Sequence, residues 1–316
     1  MATSTTVLPL SSAEKIASYQ LLPPNGLASE AAQAAHRINL INSWGPDVIR
    51  PGSRVLEIGC GQGNCTAVLA EAVGPTGHVD AYDPAPPDYG SPFTLAEAQK
   101  DISESEVGGR VTWHRNKPWE PAAAAGERGT AVEIERKWDV VVLSHCVWYF
   151  KGRDELSNIL GHLKSRVSEG GRVCIAEYAL HATEKAAWPH VLAALARGTL
   201  EAVKSEESSE NIQTPLSPQQ IKLIAQDQKW HLDCEATLVP KEGLLDGSWE
   251  TGSVASGEFL KEVDRVVAGE DWKMHAMLRA LRASVLSAAE ANGGVKGTRT
   301  MDVWTDQAQK KPQQKP

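Results

Sequence analysis

The chain has 316 residues, of which 41% are hydrophobic and 23% charged, a composition typical of globular proteins and unlike that of disordered or collagen-like chains. No apolar run approaches the roughly 18 residues that a membrane-spanning helix needs, so the sequence argues against an integral membrane protein. The 32 basic and 40 acidic residues give a net charge of −8, which disfavours a nucleic-acid partner because an acidic surface repels phosphate backbones.

The cysteines and the N-terminus favour a cytoplasmic protein. The five cysteines are odd in number and no two are spaced as Cys-x-x-Cys, so we interpret them as reduced thiols. The cysteines and histidines also show no zinc-ligand spacing. The first residues have neither a basic region nor a long apolar region, so we expect no secretory signal.

The pattern along the chain predicts four regions. Residues 1–45 form an N-terminal helical cap, with helices over 12–20 and 28–44. In residues 46–180, apolar runs alternate with segments of helical periodicity. The strands are expected at 55–58, 78–82, 111–114, 139–143 and 172–176, and the helices at 64–73, 93–105 and 156–167. Residues 117–137, rich in Ala, Gly, Pro and charge, are interpreted as a surface insertion.

The C-terminal part adds helices to this core. Residues 181–305 are expected to hold helical additions and the final strands of the sheet, on the substrate side. The helices are predicted at 182–204, 217–230, 255–268 and 272–290, and the strands at 232–239 and 300–304. The tail, residues 306–316, is rich in Gln, Lys and Pro and is expected to be disordered. Strands that alternate with helices predict an α/β fold with a parallel, doubly wound sheet covered on both faces.

A glycine-rich loop follows the first predicted strand. The run VLEIGCGQG places Gly59, Gly61 and Gly63 between a strand and a helix, and an acid, Asp83, ends the second strand. Glycines let the backbone turn tightly and let a ligand approach main-chain N–H groups. This arrangement is typical of a nucleoside-cofactor site. A nicotinamide fingerprint needs a glycine where Asn64 stands, which disfavours a dehydrogenase.

The spacing Gly-x-Gly-x-Gly, with Glu57 two residues before the first glycine, resembles motif I of the class I S-adenosylmethionine-dependent methyltransferases. The resemblance covers residues 50–180 and includes Asp83, the strand WDVVVLS at 138–144 and the segment GGRVCIAEY at 170–178. It implies a Rossmann-like fold with a mostly parallel, seven-stranded sheet and extra helices that form a lid or a pocket. It also implies S-adenosyl-L-methionine as the cofactor.

The resemblance assigns cofactor contacts to residues of this chain. Asp83 is expected to hold the ribose hydroxyls, and Glu57 to orient the loop and the cofactor's amino group. The loop residues are Gly59, Cys60, Gly61 and Gly63. Asn116, after the third strand, is a candidate for the adenine amine, and Ser144, at the end of the fourth strand, for the methyl end. Tyr19 lies in an N-terminal helix that is expected to close over the cofactor.

Methyl transfer needs proximity, orientation and exclusion of water, and it needs a base only where the acceptor carries a proton of high pKa. His145 follows the fourth strand and is the best-placed base; alternatively it hydrogen-bonds the backbone or packs beside the cofactor. Glu177 ends the fifth strand at the ligand edge, and either anchors a substrate group or caps a helix. Trp148, Tyr149 and Tyr178 are candidates for an aromatic substrate pocket, with ordinary packing as the alternative.

The sequence therefore predicts a cytoplasmic enzyme that methylates an O, N or C atom of a small aromatic or natural-product molecule, in the manner of fungal secondary metabolism. A catechol-type metal site needs acids where Ser144, His145 and Cys146 stand, so no metal is expected. We expect no nucleic-acid or membrane partner; the extra helices suit a lid or a homodimer interface. Two other functions share the same loop: a cofactor-binding enzyme of rearrangement or cyclisation, and a non-catalytic regulatory protein.

Overall fold

The computed structural model describes residues 7–119, 137–206, 208–267 and 271–310. Most of the predicted surface insertion, residues 120–136, lies outside these ranges, as do the last six residues of the predicted tail. Within them, none of the helices combines the length and the hydrophobicity that are needed to cross a bilayer.

Eight strands of the described chain form one sheet. They are β1 (Arg54–Ile58), β2 (His78–Tyr82), β3 (Val111–His114), β4 (Trp138–Ser144), β5 (Val167–Tyr178), β6 (Trp230–Leu232), β7 (Ala236–Leu238) and β8 (Val303–Lys310). Their order is β3-β2-β1-β4-β5-β8-β6, and β7 also pairs with β8. Strands β1 to β5 are parallel, whereas β8 is antiparallel to β5, β6 and β7. The carboxyl ends of the five parallel strands therefore meet at one edge of the sheet, here called the carboxyl edge.

The same ranges contain ten α-helices and several short 3-10 helices. The α-helices are α1 (Ala13–Ala17), α2 (Leu27–Ser43), α3 (Asn64–Val73), α4 (Leu95–Glu104), α5 (Arg153–Arg166), α6 (Trp188–Glu201), α7 (Pro218–Asp227), α8 (Asp246–Ala255), α9 (Gly257–Val266) and α10 (Trp272–Glu290). The 3-10 helices are Leu10–Ser12, Gly108–Arg110, Val147–Tyr149, Lys185–Ala187 and Val295–Gly297.

Both faces of the parallel strands are buried. Along β4, Val140 and Val142 pack into the layer that contains α2 and α3, whereas Val141 and Leu143 pack into the layer of α5 and α7. All four side chains are almost completely inaccessible to solvent. An apolar residue at every position of this run is what a strand covered on both sides requires. The doubly wound, mostly parallel α/β fold predicted from the sequence is confirmed.

The C-terminal strands differ from the prediction in number and extent. The strand expected at 232–239 is divided into β6 and β7, so the sheet has eight strands rather than seven. Strand β8 continues to Lys310, so residues 306–310 are ordered and the predicted disordered tail begins too early. Because β8 is paired on both sides, it buries polar residues such as Asp306, which is 2% exposed. Composition alone does not reveal that pairing.

Helix α8 was not predicted. Its sequence, DGSWETGSVA, contains two glycines and several Ser or Thr residues, all of low helix propensity. The helix is held instead by tertiary packing, since Thr251 and Val254 are buried. A Cβ atom at Gly247 would lie 2.2 Å from the carbonyl oxygen of Arg299, so only glycine allows this close approach.

Candidate functional site

The glycine loop connects β1 to α3 at the carboxyl edge. Gly59, Gly61 and Gly63 all have left-handed backbone conformations, with φ values of +73°, +52° and +97°. A Cβ at Gly59 would lie 2.3 Å from the Cβ of Cys146, and one at Gly63 would lie 2.6 Å from Ile102. A Cβ at Gly61 would meet no described atom within 4 Å, so the middle of the loop borders open space.

Asp83 fixes the loop to the end of β2. Its Oδ2 accepts a hydrogen bond from the backbone N–H of Gly61 at 2.8 Å, and its Oδ1 accepts one from Ala85 at 2.9 Å. The N–H groups of Gly59 and Cys60 both donate to the carbonyl of Tyr82, at 2.8 and 3.1 Å. A carboxylate accepts about four hydrogen bonds, so Asp83 retains capacity for two hydroxyl groups.

Glu57 lies beneath the loop and is 1% exposed. Its Oε2 accepts a hydrogen bond from the hydroxyl of Thr66 in the first turn of α3, at 2.5 Å. Burial raises the pKa of Glu57 to about 7, against the opposing effect of the Thr66 hydrogen bond. Glu57 therefore links the end of β1 to α3, the helix that follows the loop.

The structure does not bring Tyr19 to the loop. Its hydroxyl donates to Glu106 at 2.5 Å and lies 3.2 Å from Glu71, which is in the last turn of α3. That position is about 10 Å along the helix from the loop, given a rise of about 1.5 Å per residue. The N-terminal cap instead reaches the loop through Gln20 and Glu30, which accept hydrogen bonds from Asn64 at 2.7 and 3.0 Å.

Two further predicted cofactor residues lie at the carboxyl edge. Asn116 follows β3 and is exposed. Its neighbour Arg115 donates to the carbonyl of Ala85 at 3.1 Å, so this segment borders the end of β2. Ser144 is the last residue of β4 and is partly buried. The positions agree with the predicted roles, which stay predictions.

His145 follows β4 in a left-handed conformation, with φ +54°. Its Nε2 lies 3.0 Å from the Nε2 of His36 in α2, and its Nδ1 lies 3.6 Å from Oε1 of Glu177. Its backbone N–H donates to the carbonyl of Ala176 at 2.9 Å. Burial lowers the pKa of His36 well below its usual value, and the neighbouring His145 lowers it further. These two imidazoles, here called the histidine pair, lie at the end of β4, and burial keeps the His36 ring neutral at pH 7.

Glu177 caps a helix, which was one of the two predicted alternatives. Its Oε2 accepts hydrogen bonds from the N–H groups of Val147 and Trp148, at 2.9 and 3.3 Å, at the start of the 3-10 helix Val147–Tyr149. Its Oε1 accepts one from the N–H of Tyr178 at 2.9 Å. Because both oxygens are engaged by the backbone and the side chain is 1% exposed, Glu177 is placed to hold this turn.

The three predicted pocket aromatics have different surroundings. Trp148 is 2% exposed and its indole N–H donates to the carbonyl of Leu216 at 3.0 Å, as expected for packing. Tyr149 is 45% exposed. Tyr178 contacts both Trp148 and His145, with its ring centroid 4.6 Å from that of His145 and 5.3 Å from that of Trp148.

Comparisons with known proteins agree with this geometry. The sequence profile of the family described as "Methyltransferase domain" matches residues 20–228, more than half of the chain. The proteins named Methyltransferase phomM' and Methyltransferase phomM, both from Diaporthe leptostromiformis, are each 27% identical to the chain, over 92% of its length and 79% of theirs. Among solved structures, a cyclopropane-fatty-acyl-phospholipid synthase-like protein from Lactobacillus casei has 25% sequence identity and a TM-score of 0.77, covering 95% of this chain and 99% of that one.

This chain is a class I S-adenosylmethionine-dependent methyltransferase. Its cofactor is S-adenosylmethionine. The carboxyl edge of the methyltransferase fits that molecule in two respects. Open space borders Gly61, and Asp83 has unused acceptor capacity beside it. The roles predicted for Glu57, Asp83 and the loop glycines in holding the nucleoside and the amino-acid end stay predictions.

Three polar residues of the site were missed in the sequence. His36 and Arg37 lie on α2, and Asp246 begins the unpredicted α8. Asp246 accepts hydrogen bonds from the Tyr178 hydroxyl at 2.9 Å and from the Gln33 amide at 3.2 Å. Burial alone raises the pKa of Asp246, but the positive charge of Arg37 and the Tyr178 hydrogen bond hold it below its usual range. The helical pattern of α2 was visible in the sequence, but which of its faces meets the carboxyl edge was not.

His190 of α6 is a fourth residue without a sequence signal. It is fully buried, and its ring centroid lies 5.0 Å from that of Tyr178. Its Nδ1 accepts a hydrogen bond from the N–H of Met301 at 3.1 Å, while its Nε2 has no partner among the described residues. Burial lowers the pKa of His190 to about 4. The ring is therefore neutral at pH 7, and its proton is on Nε2.

Proposed function

We propose that the methyltransferase methylates a small organic acceptor bound between the end of β4, Tyr178 and α8, and that His145 takes the acceptor's proton. The observation that carries this proposal is the contact between two buried imidazoles, with the Nε2 atoms of His145 and His36 3.0 Å apart at the carboxyl edge. In a doubly wound sheet, this edge is where ligands bind.

The chemistry requires little from the protein beyond positioning. S-adenosylmethionine supplies a methyl group on a positively charged sulfur, and the acceptor supplies a lone pair. A hydroxyl or ammonium acceptor must lose a proton, and a neutral imidazole is a suitable base near pH 7. Glu177 supports this role as a positioning residue, because its carboxylate holds the turn after His145 and lies 3.6 Å from His145 Nδ1.

The charges around the aromatic residues favour a neutral or cationic acceptor. Asp246, whose pKa is held below its usual range, accepts a hydrogen bond from the Tyr178 hydroxyl, and the carboxylate of Glu177 accepts one from the Tyr178 backbone N–H. Of the positive charges that act on Asp246, that of Arg37 has the largest effect on its pKa. An anionic acceptor would meet this negative field, whereas a flat neutral molecule could stack on the exposed ring of Tyr149.

We further propose a natural-product acceptor of secondary metabolism and a cytoplasmic location. The helical additions support the first, since Tyr178 at the carboxyl edge contacts α6 through His190 and α8 through Asp246, so these helices border the proposed acceptor site. The five cysteines support the second, since all are free thiols and four are buried.

The test is a screen of acceptors that records S-adenosylhomocysteine released from S-adenosylmethionine. Matched aromatic compounds with a neutral phenol, an amine or a carboxylate or phosphate group are compared at equal concentration. We expect S-adenosylhomocysteine to be released with phenols or amines as acceptors, and little of it to be released with the anionic compounds. Release that depends only on anionic acceptors, or tight cofactor binding without release from any acceptor class, would contradict the proposal.

A further inference from the structure

The guanidinium of Arg37 has few partners for a charged group that is largely withdrawn from solvent. An N–H of the side chain donates to Oε1 of Gln33, one turn earlier in α2. The Nε atom is shielded from solvent and has no acceptor among the described residues. No ion pair within the described ranges includes Arg37. A guanidinium presents five donors, and leaving them unpaired away from water is costly.

Arg37 belongs to the face of α2 that covers the glycine loop. Glu30, Gln33 and Arg37 have the spacing i, i+3 and i+7, which places them on one side of a helix. The first of them, Glu30, accepts the hydrogen bond from Asn64, the first residue of α3. The same stripe therefore runs from the end of the loop toward Tyr178 and Asp246, which Gln33 contacts.

Electrostatic effects agree with this placement. Burial raises the pKa values of Glu57 and of the Cys65 thiol, and the charge of Arg37 opposes both shifts. Such effects weaken with distance, so they agree with the position of α2 beside the loop that the hydrogen bond between Asn64 and Glu30 shows. However, the carboxyl group of Glu57 already accepts a hydrogen bond from Thr66, and that of Asp246 accepts hydrogen bonds from Tyr178 and Gln33. The arginine therefore faces the loop without a carboxylate of its own.

The cofactor carries one anionic group, the carboxylate of its amino-acid end. Carboxylate and guanidinium are both planar and can form two parallel hydrogen bonds, the geometry in which arginine differs most from lysine. Glu57 and Glu30 present carboxyl oxygens nearby that can accept hydrogen bonds from the ammonium group of the same amino-acid end. A guanidinium flanked by such acceptors matches both ends of a zwitterion.

We propose that Arg37 binds the carboxylate of S-adenosylmethionine and makes the enzyme selective for the intact amino-acid end of the cofactor. The residue lies outside the glycine motif, 22 residues before Gly59 in sequence. It reaches the site because α2 packs across the loop. The inference rests on the cofactor and is independent of which acceptor is methylated.

The test compares S-adenosylmethionine with its decarboxylated form, which lacks the carboxylate, by calorimetric binding to the wild type, Arg37→Met and Arg37→Lys. We expect the wild type to bind the intact cofactor about tenfold to a hundredfold more tightly than the decarboxylated form, the range of a hydrogen bond between charged groups. Arg37→Met should lose this factor for the intact cofactor and bind the decarboxylated form within about threefold of the wild type. Arg37→Lys should retain part of the preference.

Arg265→Met is the matched control. Arg265 lies on the distant helix α9, is exposed and forms an ion pair with Glu206. It should keep the full preference, and a thermal melt should show that each variant is folded. The proposal is overturned if Arg37→Met keeps the wild-type preference, or if it loses affinity equally for both molecules. Failure of the folded wild type to bind either molecule would instead contradict the cofactor itself.

Discussion

At the scale of single residues, the carboxylate of Asp83 holds the glycine loop and is the predicted contact for the ribose hydroxyls of the cofactor. Two backbone N–H groups, of Gly61 and Ala85, already donate to it. The aspartate therefore holds the loop in position before any hydroxyl binds. Such preorganisation reduces the entropy that binding must remove, so the loss of Asp83 affects both the ligand contact and the shape of the loop.

Asp83→Ala should weaken the binding of S-adenosylhomocysteine by about tenfold to a hundredfold, because two charge-assisted contacts to ribose and one to the loop are lost. Isothermal titration calorimetry measures the change. Asp88→Ala is the control, since Asp88 is exposed and lies five residues farther along the chain. Unchanged affinity in Asp83→Ala would remove the aspartate from the cofactor site.

The proposed role of His145 as a base predicts how kcat depends on pH. A general base accepts a proton only in its neutral form, and burial keeps the His36 imidazole beside His145 neutral by lowering the pKa of His36. In a turnover assay with an acceptor that the enzyme methylates, the kcat of the wild type should therefore decline toward acid pH. His145→Gln should lower kcat by about a hundredfold or more and abolish this acid limb, while leaving the affinity for S-adenosylhomocysteine within about threefold.

His162→Gln serves as the control for that experiment, because His162 is exposed on α5. It should keep both the rate and the pH profile of the wild type. A His145→Gln enzyme that retains the acid limb would show that another group titrates, and a normal kcat would assign His145 to packing.

At the scale of elements, α2 connects the cofactor side to the acceptor side. The side chain of Arg37 donates to Gln33, the Gln33 amide donates to Asp246 at 3.2 Å, and the Tyr178 hydroxyl donates to the same carboxylate at 2.9 Å. The chain of contacts thus links α2, α8 and the end of β5. Since α8 has low intrinsic helix propensity, these tertiary contacts matter more for it than for the other helices.

Gln33→Leu should loosen α8, because it leaves one oxygen of Asp246 without its donor. We expect the amides of residues 246–255 to exchange about fivefold faster in hydrogen–deuterium exchange, the effect of losing about 1 kcal/mol. Gln219→Leu, on the exposed surface of α7, should leave that exchange unchanged. Equal exchange of α8 in the wild type and in Gln33→Leu would mean that packing alone holds the helix.

At the scale of the whole molecule, buried titratable groups make stability depend on pH in opposite directions. His190 has its pKa lowered to about 4, whereas Glu57 and Glu250 have theirs raised to about 7, all by burial. A lowered pKa in the folded state makes acid destabilising, because the unfolded chain binds the proton first. A raised pKa makes alkali destabilising for the converse reason.

His190 allows this effect to be isolated. An unfolded histidine protonates near pH 6.5, whereas folded His190 remains neutral until about pH 4, so its contribution to stability is present above pH 6.5 and is lost as the pH falls. Between pH 7.5 and 5, the wild type should lose about 2 kcal/mol more free energy of unfolding than His190→Gln. Urea titrations at the two pH values measure the difference, with the exposed His231→Gln as the control. An equal loss in wild type and His190→Gln would mean that His190 is not held neutral.

The sequence by itself determined the parallel core and the cofactor loop. These features are local: an apolar run without alternation defines a strand covered on both faces, and a strand, a glycine turn and a helix are contiguous in the chain. Gly59, Gly61, Gly63 and Asp83 could therefore be placed from spacing alone, and their arrangement at the carboxyl edge agrees with the prediction.

Only the tertiary structure decided which residues meet across the carboxyl edge. His36 and His145 are 109 residues apart in sequence, and Gln33 and Asp246 are 213 apart, so no local pattern relates them. Helix α8 and the end of β8 were missed because packing and strand pairing, rather than propensity, stabilise them. The contacts of Tyr19 have the same origin: helix periodicity predicts that a helix forms, but the neighbours on which it packs decide where each of its side chains lies.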